Sequence, residues 1–405
     1  MKLAINGGTR TRTTGFPKWP VYDKREEEAL RKVLKSREWG TLGPFVEAFE
    51  KKFSRYTGVK EAVAVCNGTV SLEIILRALD IGYGDEVIVP AYTFVATASA
   101  VLMVNAVPVF ADIHPSSNCI DPDKIEKHIT DNTRAVIPVH MAGTPADMDR
   151  IGKIAEKSGL AVIEDAAQAH GSEWKGRKAG SLGIAGSFSF QSSKNITAGE
   201  GGIITTNDEG VAGACWSIHN AGRKKGEEWY KHYELSGNYR MTEWQAAVLS
   251  IQLDRLDNQI GIREDNASYL NSRLKQIPGI EIFEDDPRVT KNTRHLYMFN
   301  YIKKEFKGIK KEIFIDALKA EGIPASGGYV PLYRQPLFRQ ERVIKRLGGN
   351  VDYSSVVLPQ TEKAADQTVW LGQNMLLGSH GDMDDIAEAI IKISDNVDEL
   401  RRDPL

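Results

Sequence analysis

Between about Glu61 and Thr206, short β-branched runs alternate with longer stretches of helical period, and this alternation constrains the fold more than any other feature. Such a pattern builds a parallel sheet covered by helices on both faces, an α/β architecture. Seven segments read as buried or half-buried strands: Ala62–Cys66, Glu86–Pro90, Val107–Asp112, Ala135–His140, Leu160–Asp165, Gly186–Phe190 and Gly202–Thr206. Asp121–Ile129 and Asp147–Ser158 carry apolar residues at helical spacing, with Asp121 and Asp147 placed to cap their first turns. These are the expected crossover helices.

A chain of 405 residues exceeds what one core usually reaches, about 250–300 residues, so two domains are expected. Beyond roughly Leu256 the pattern changes to long polar–apolar helices, Ile262–Gln276 and Lys310–Glu321, with a strand-like piece at Tyr297–Ile302. The reading is a large sheet domain at 1–256, including an N-terminal arm, and a smaller α+β domain at 257–405. Tyr329–Phe338, with Pro331 and Pro336 set among aromatics, reads as a rigid loop that lines a cleft between domains.

Composition excludes several function classes. The chain is 41% hydrophobic and 26% charged, ordinary for a globular protein. Lys plus Arg number 52 against 54 for Asp plus Glu, and a net charge of -2 offers nucleic acid and anionic lipid no general attraction. Cys66, Cys119 and Cys215 are far apart with no CxxC spacing, which argues against a zinc site or disulfide framework and fits a reducing cytoplasm. Nowhere do 18 apolar residues follow one another, and the first 20 residues lack a signal-like apolar run, so membrane spanning and secretion are disfavoured.

Ligands of open α/β sheets bind at the carboxyl ends of the strands, so residues directly after each strand come first. Asn67-Gly68-Thr69 follows the first strand and opens a helix, which reads either as a phosphate cradle or as a plain cap. Leu160–Asp165 ends in two carboxylates, of which Asp165 either caps the next helix or sits beneath a pyridine nitrogen and keeps it protonated. Gln168 then lies within reach of a ring oxygen. After Gly186–Phe190 comes Lys194, followed by Gly199-Glu200-Gly201-Gly202. A lysine held in such a loop is desolvated enough to become neutral and form a Schiff base, although most lysines are solvated surface charges. Phe94, or less well Tyr92, stacks on a flat ring or else packs in the core. His140, His170 and His219 show no metal-ligand spacing, and no metal is expected.

Taken together, Asp165-Ala166-Ala167-Gln168, Ser187-Phe188-Ser189-Phe190 and Lys194 with its glycine turn resemble the DegT/DnrJ/StrS-type sugar aminotransferases. The resemblance extends over nearly the whole chain, through Gly43-Pro44, Phe49-Glu50, Gly84–Pro90, Thr93–Thr97, Val139-His140 and Gly237–Thr242. It implies the type I fold of enzymes that use pyridoxal 5'-phosphate. It further implies that Lys194 holds the cofactor as an internal Schiff base and moves the proton, and that Asp165 pairs with the pyridinium nitrogen. Gln168 is implied at the phenolic oxygen, and Gly68, Thr69 and Ser189 at the phosphate. Asn238 of a facing subunit, with Arg240 near it, is implied to complete the phosphate site, making the enzyme a homodimer. The implied reaction is ping-pong transfer of an amine from glutamate or glutamine to a keto-sugar or keto-cyclitol. Gln191 stands where nucleotide-sugar members commonly have histidine. Glutamine there, with Leu376-Leu377, resembles the glutamine-dependent branch acting on scyllo-inosose and deoxy-inosose.

Three alternatives remain at this level. A sugar dehydratase of the same fold would carry histidine in place of Lys194. A nicotinamide-binding protein would need a strand-linked GxGxxG, which the Ile5-Asn6-Gly7-Gly8-Thr9 start does not supply. A non-catalytic relative would have no reason to keep Lys194, Asp165 and Ser189 together.

Overall fold

The structure, a computed structural model, describes residues 2–349 and 351–401. Seven strands form the main sheet: β1 Glu61–Val65, β2 Glu86–Pro90, β3 Val107–Ala111, β4 Thr133–Val136, β5 Ala161–Asp165, β6 Ala185–Ser189 and β7 Gly202–Thr206. Their order is β1-β7-β6-β5-β4-β2-β3. Neighbours from β6 to β3 pair in parallel, and β7 runs antiparallel to both β1 and β6. The two reversals cancel, so β1, β2, β5 and β6 all end at the same edge. The α/β class and the seven-stranded, mostly parallel sheet expected from the sequence are both present.

Differences from the expected elements have local causes. The fourth strand ends at Val136 because Pro138 has no N–H to donate, and only an isolated bridge from Val139 to Asp165 continues the ladder. Asp121–Ile129 is a single α turn, Pro122–Ile125, followed by a 3-10 turn. Asp147 does cap Met148–Ser158, accepting from the Arg150 N–H.

Beyond the sheet, one 32-residue helix, Glu243–Leu274, starts some twenty residues before the expected Ile262. A capping box between Thr242 and Gln245 sets its start. Leu249, Leu253, Leu256 and Ile260 of this helix pack into the core beneath the sheet, whereas Ala267, Leu270 and Leu274 pack into a second core. That second core lies against an antiparallel sheet of β8 Ile280–Ile282, β9 Leu296–Tyr301, β10 Ser326–Gly327 and β11 Thr368–Gly372, ordered β8-β9-β11-β10. We propose the division near residue 256 as a change of core along a continuous helix. Residues 1, 350 and 402–405 of the proposed domains lie outside the described residues. Leu332, Tyr333, Phe338 and Tyr353 return to pack on the main sheet's core, and Leu3 packs into the second.

Among the described residues, no helix is long and apolar enough to cross a membrane. Cys66, Cys119 and Cys215 are all free thiols.

Candidate active site

The shared edge of β1, β2, β5 and β6 opens into a cavity of about 910 Å³. Gly68, Thr69, Phe94, Asp165, Gln168, Ser189 and Lys194 all line it, so seven of the eight expected site residues meet in one place. Asn238 does not; it is exposed, in an isolated bridge to Asn220. Arg240, nearby, donates from Nη1 to Asn220 Oδ1 at 2.8 Å.

Each residue arrives by a local device. After β1, Asn67 caps helix Gly68–Ala78, its Oδ1 accepting from the Val70 N–H at 2.9 Å. The Gly68 and Thr69 N–H groups belong to the first turn and have no carbonyl a turn earlier to bond. Glycine is required at 68, because a Cβ there would lie 2.7 Å from the Ser189 Cβ. The end of β6 therefore sits directly against the start of this helix, and Ser189 lines the cavity beside Gly68 and Thr69.

Asp165, the last residue of β5, is buried. Its Oδ2 accepts from the Thr97 hydroxyl at 2.7 Å and its Oδ1 from the Ala167 N–H at 3.2 Å. Burial nonetheless drives its carboxyl above the ordinary range, with Thr97, Ala167 and the Lys194 charge opposing. Beneath it, Glu164 accepts from the backbone N–H groups of Gly180, Leu182 and Gly183. It also bonds His140 Nε2 at 2.9 Å. Because His140 Nδ1 accepts from the Ala146 N–H, its proton sits on Nε2. This network fixes the strand that presents Asp165.

Lys194 lies in a tight loop after β6, its N–H bonded to the Gln191 carbonyl at 2.9 Å. Burial lowers its amine to about 8, against the pull of Asp165. Gln168 accepts from the Ala142 N–H at 2.7 Å and donates from Nε2 to the Tyr329 hydroxyl at 3.1 Å. Phe94, 56% exposed, reaches into the cavity, while Tyr92 is fully buried against Tyr329 and Trp370. Gln191 turns its side chain back onto Ser192 and Ser193.

The sequence reading missed Thr97, Trp19, His295 and Gln373. Trp19, from the N-terminal arm, donates to the Ser192 carbonyl at 2.9 Å and lines the cavity. His295 and Gln373 come from the ends of the second sheet. Gln373 directly follows β11, so the rule about residues after strands, applied to that sheet, would have found it, whereas His295 precedes β9 and carries no such signal. Among the described residues no cluster of His, Cys, Asp and Glu could hold a metal ion.

Residues 20–391 match the model of the DegT/DnrJ/EryC1/StrS aminotransferase family. The chain belongs to this family. Among family relatives, a Streptoalloteichus tenebrarius protein provisionally named L-glutamine:3-amino-2,3-dideoxy-scyllo-inosose aminotransferase is 41% identical, with 99% of each chain covered. The L-glutamine:2-deoxy-scyllo-inosose aminotransferase of the same organism is 38% identical over 98% of this chain and 99% of its own. The crystal structure of 3-amino-5-hydroxybenzoic acid synthase superposes with a TM-score of 0.88 at 33% identity, covering 96% of this chain and all of that one. As a DegT/DnrJ/EryC1/StrS family member, the protein is an aminotransferase.

Proposed function

We propose that this aminotransferase binds pyridoxal 5'-phosphate and moves an amine from glutamine, or from glutamate, to a ketone on a cyclitol. The observation that carries the cofactor assignment is the convergence of a desolvated lysine, a buried carboxylate and a cradle of free amides on one cavity. The cradle suits a phosphate: two helix-start N–H groups and a serine hydroxyl, with no room for a side chain at Gly68. Asp165 suits a pyridinium nitrogen, since a buried carboxylate raised above its ordinary range gains most from a cationic partner. When bound, the cofactor supplies an electron sink for charge left on the amine-bearing carbon.

The chain's own residues do the rest. An amine near 8 is neutral in a usable fraction at neutral pH, so Lys194 both attacks as a nucleophile and carries a proton between neighbouring carbons. Thr97 and the Ala167 N–H hold Asp165 in position, and Gln168 presents a fixed amide toward a ring oxygen. A lysine at 194 sets this reading apart from the dehydratase alternative. The cyclitol acceptor is supported by the names of the relatives and by Gln191, and it is preferred here over a nucleotide-linked sugar. Purified protein incubated with pyridoxal phosphate should gain a visible absorption band that glutamine bleaches and a keto-cyclitol restores. A protein that stays colourless refutes the cofactor, and one bleached by glutamine but restored only by nucleotide-linked keto-sugars refutes the acceptor.

A further inference from the structure

The β9–β11 ladder ends with Leu296 opposite Gly372, so His295 and Gln373 flank each other one step beyond it. Both are buried, at 5% and 4% exposure, and both line the cavity that holds Lys194. Behind Gln373 lies Arg263, on the long helix, with no exposed surface. Its Nε and Nη2 donate to Gln373 Oε1 at 3.0 and 2.5 Å, and the Trp19 ring lies 5.5 Å from its guanidinium carbon. Arg263 Nη1 has no hydrogen-bond partner, and no carboxylate pairs with the guanidinium, among the described residues.

Two consequences follow from donor and acceptor chemistry alone. A guanidinium only donates, so the Gln373 oxygen is turned to Arg263 and its amide nitrogen is left to face the cavity. A buried cation without an anion is held at a large desolvation penalty, which an incoming negative group relieves. His295 does not supply that group. Its Nδ1 bonds Asn195 Oδ1 at 3.1 Å, and burial, followed by the nearby Lys194 and Arg263 charges, disfavours its charged form.

We propose that Gln373 and Arg263 form the subsite for the α-carboxylate of the amino donor, Gln373 through its amide N–H and Arg263 as the positioning charge behind it. The inference rests on the aminotransferase reading. Donor and acceptor use one cavity in turn, and only the donor carries a carboxylate, whereas a keto-cyclitol carries hydroxyls, with or without an amine, and no anionic group. Glutamine and glutamate share this group, so the subsite serves either.

The test uses cofactor-loaded protein in single turnover with glutamine, glutamate and 4-aminobutanamide, which is glutamine without its α-carboxylate. Gln373→Glu is isosteric and places a carboxylate on Arg263, so its melting temperature should rise. Its rate constants for glutamine and glutamate should fall about 10- to 100-fold, as loss of a hydrogen bond to a charged group predicts. The wild-type preference for glutamine over 4-aminobutanamide should collapse with them. Gln373→Leu should show the same collapse without added stability. Equal losses for 4-aminobutanamide, or a loss confined to the ketone half-reaction, would overturn the assignment while leaving the aminotransferase reading intact. Wild-type protein inert toward all three amines would overturn both.

Discussion

Lys194 shows how much one residue's environment decides. A solvated lysine is protonated at every physiological pH, and only its removal from water lowers the amine to about 8. Capture of pyridoxal phosphate by cofactor-free protein should therefore accelerate through a midpoint near pH 8, well below an ordinary lysine, as a pH profile of the rate would show. The same shift has a stability consequence of definite sign. Because the folded-state value lies below the unfolded one, the unfolded chain binds more protons between about 8 and 10.5, and stability rises with pH across that window. At neutral pH both states are mostly protonated and the folded state bears nearly the full penalty. Lys194→Met should thus abolish transamination yet stabilise the cofactor-free protein at pH 7 by about 1–2 kcal/mol, measured by denaturant unfolding. Lys194, Asp165, Gln168 and Ser189 were legible in the sequence because each lies at a strand's end or shortly after one. Arg263 and His295 were not, and Gln373 would have been only if the second sheet had been read strand by strand. Arg263 and Gln373 stand 110 residues apart, and nothing local pairs them until the second sheet and the long helix bring them together.

At the scale of elements, the cradle depends on how closely β6, β7 and the helix after β1 approach. A Cβ at Gly202 would lie 2.5 Å from the Asn67 carbonyl carbon and one at Gly68 2.7 Å from the Ser189 Cβ, so backbone meets strand with nothing between. Gly68→Ala should destabilise the protein by about 1–3 kcal/mol through overpacking and weaken cofactor retention together. Thermal unfolding with and without pyridoxal phosphate separates the two, since a purely structural defect would leave the cofactor-induced shift unchanged. The strands themselves were readable because β-branched runs bounded by turns have few other outcomes. The early start of the long helix was not, since Glu243–Gln259 turns Leu249, Leu253 and Leu256 to the core beneath the sheet and Trp244, Ala247 and Ile251 to a separate cluster with Ala29 and Val33, so no single apolar face marks it.

At the scale of the molecule, Asn238 is the expected site residue that one chain does not bring to the cavity. It is exposed, and the segment before it carries Trp229, Tyr230 and Leu235 at 59%, 85% and 94% exposure. Apolar surface of that kind on a segment ending at a site residue is what a partner subunit would cover. We propose that two copies pair so that Asn238 of each completes the other's phosphate cradle. In that arrangement Lys194→Ala and Asn238→Ala disable different chains of the same site. Each variant alone should be inactive or nearly so. When the two are mixed and allowed to exchange subunits, half of the dimers become mixed, and each mixed dimer regains one intact site while concentrating both defects in the other. Activity should recover to about a quarter of the wild-type value per site. Recovery to that level requires Asn238 to act across the interface, whereas a mixture that exchanges subunits and stays inactive places Asn238 outside the partner's site.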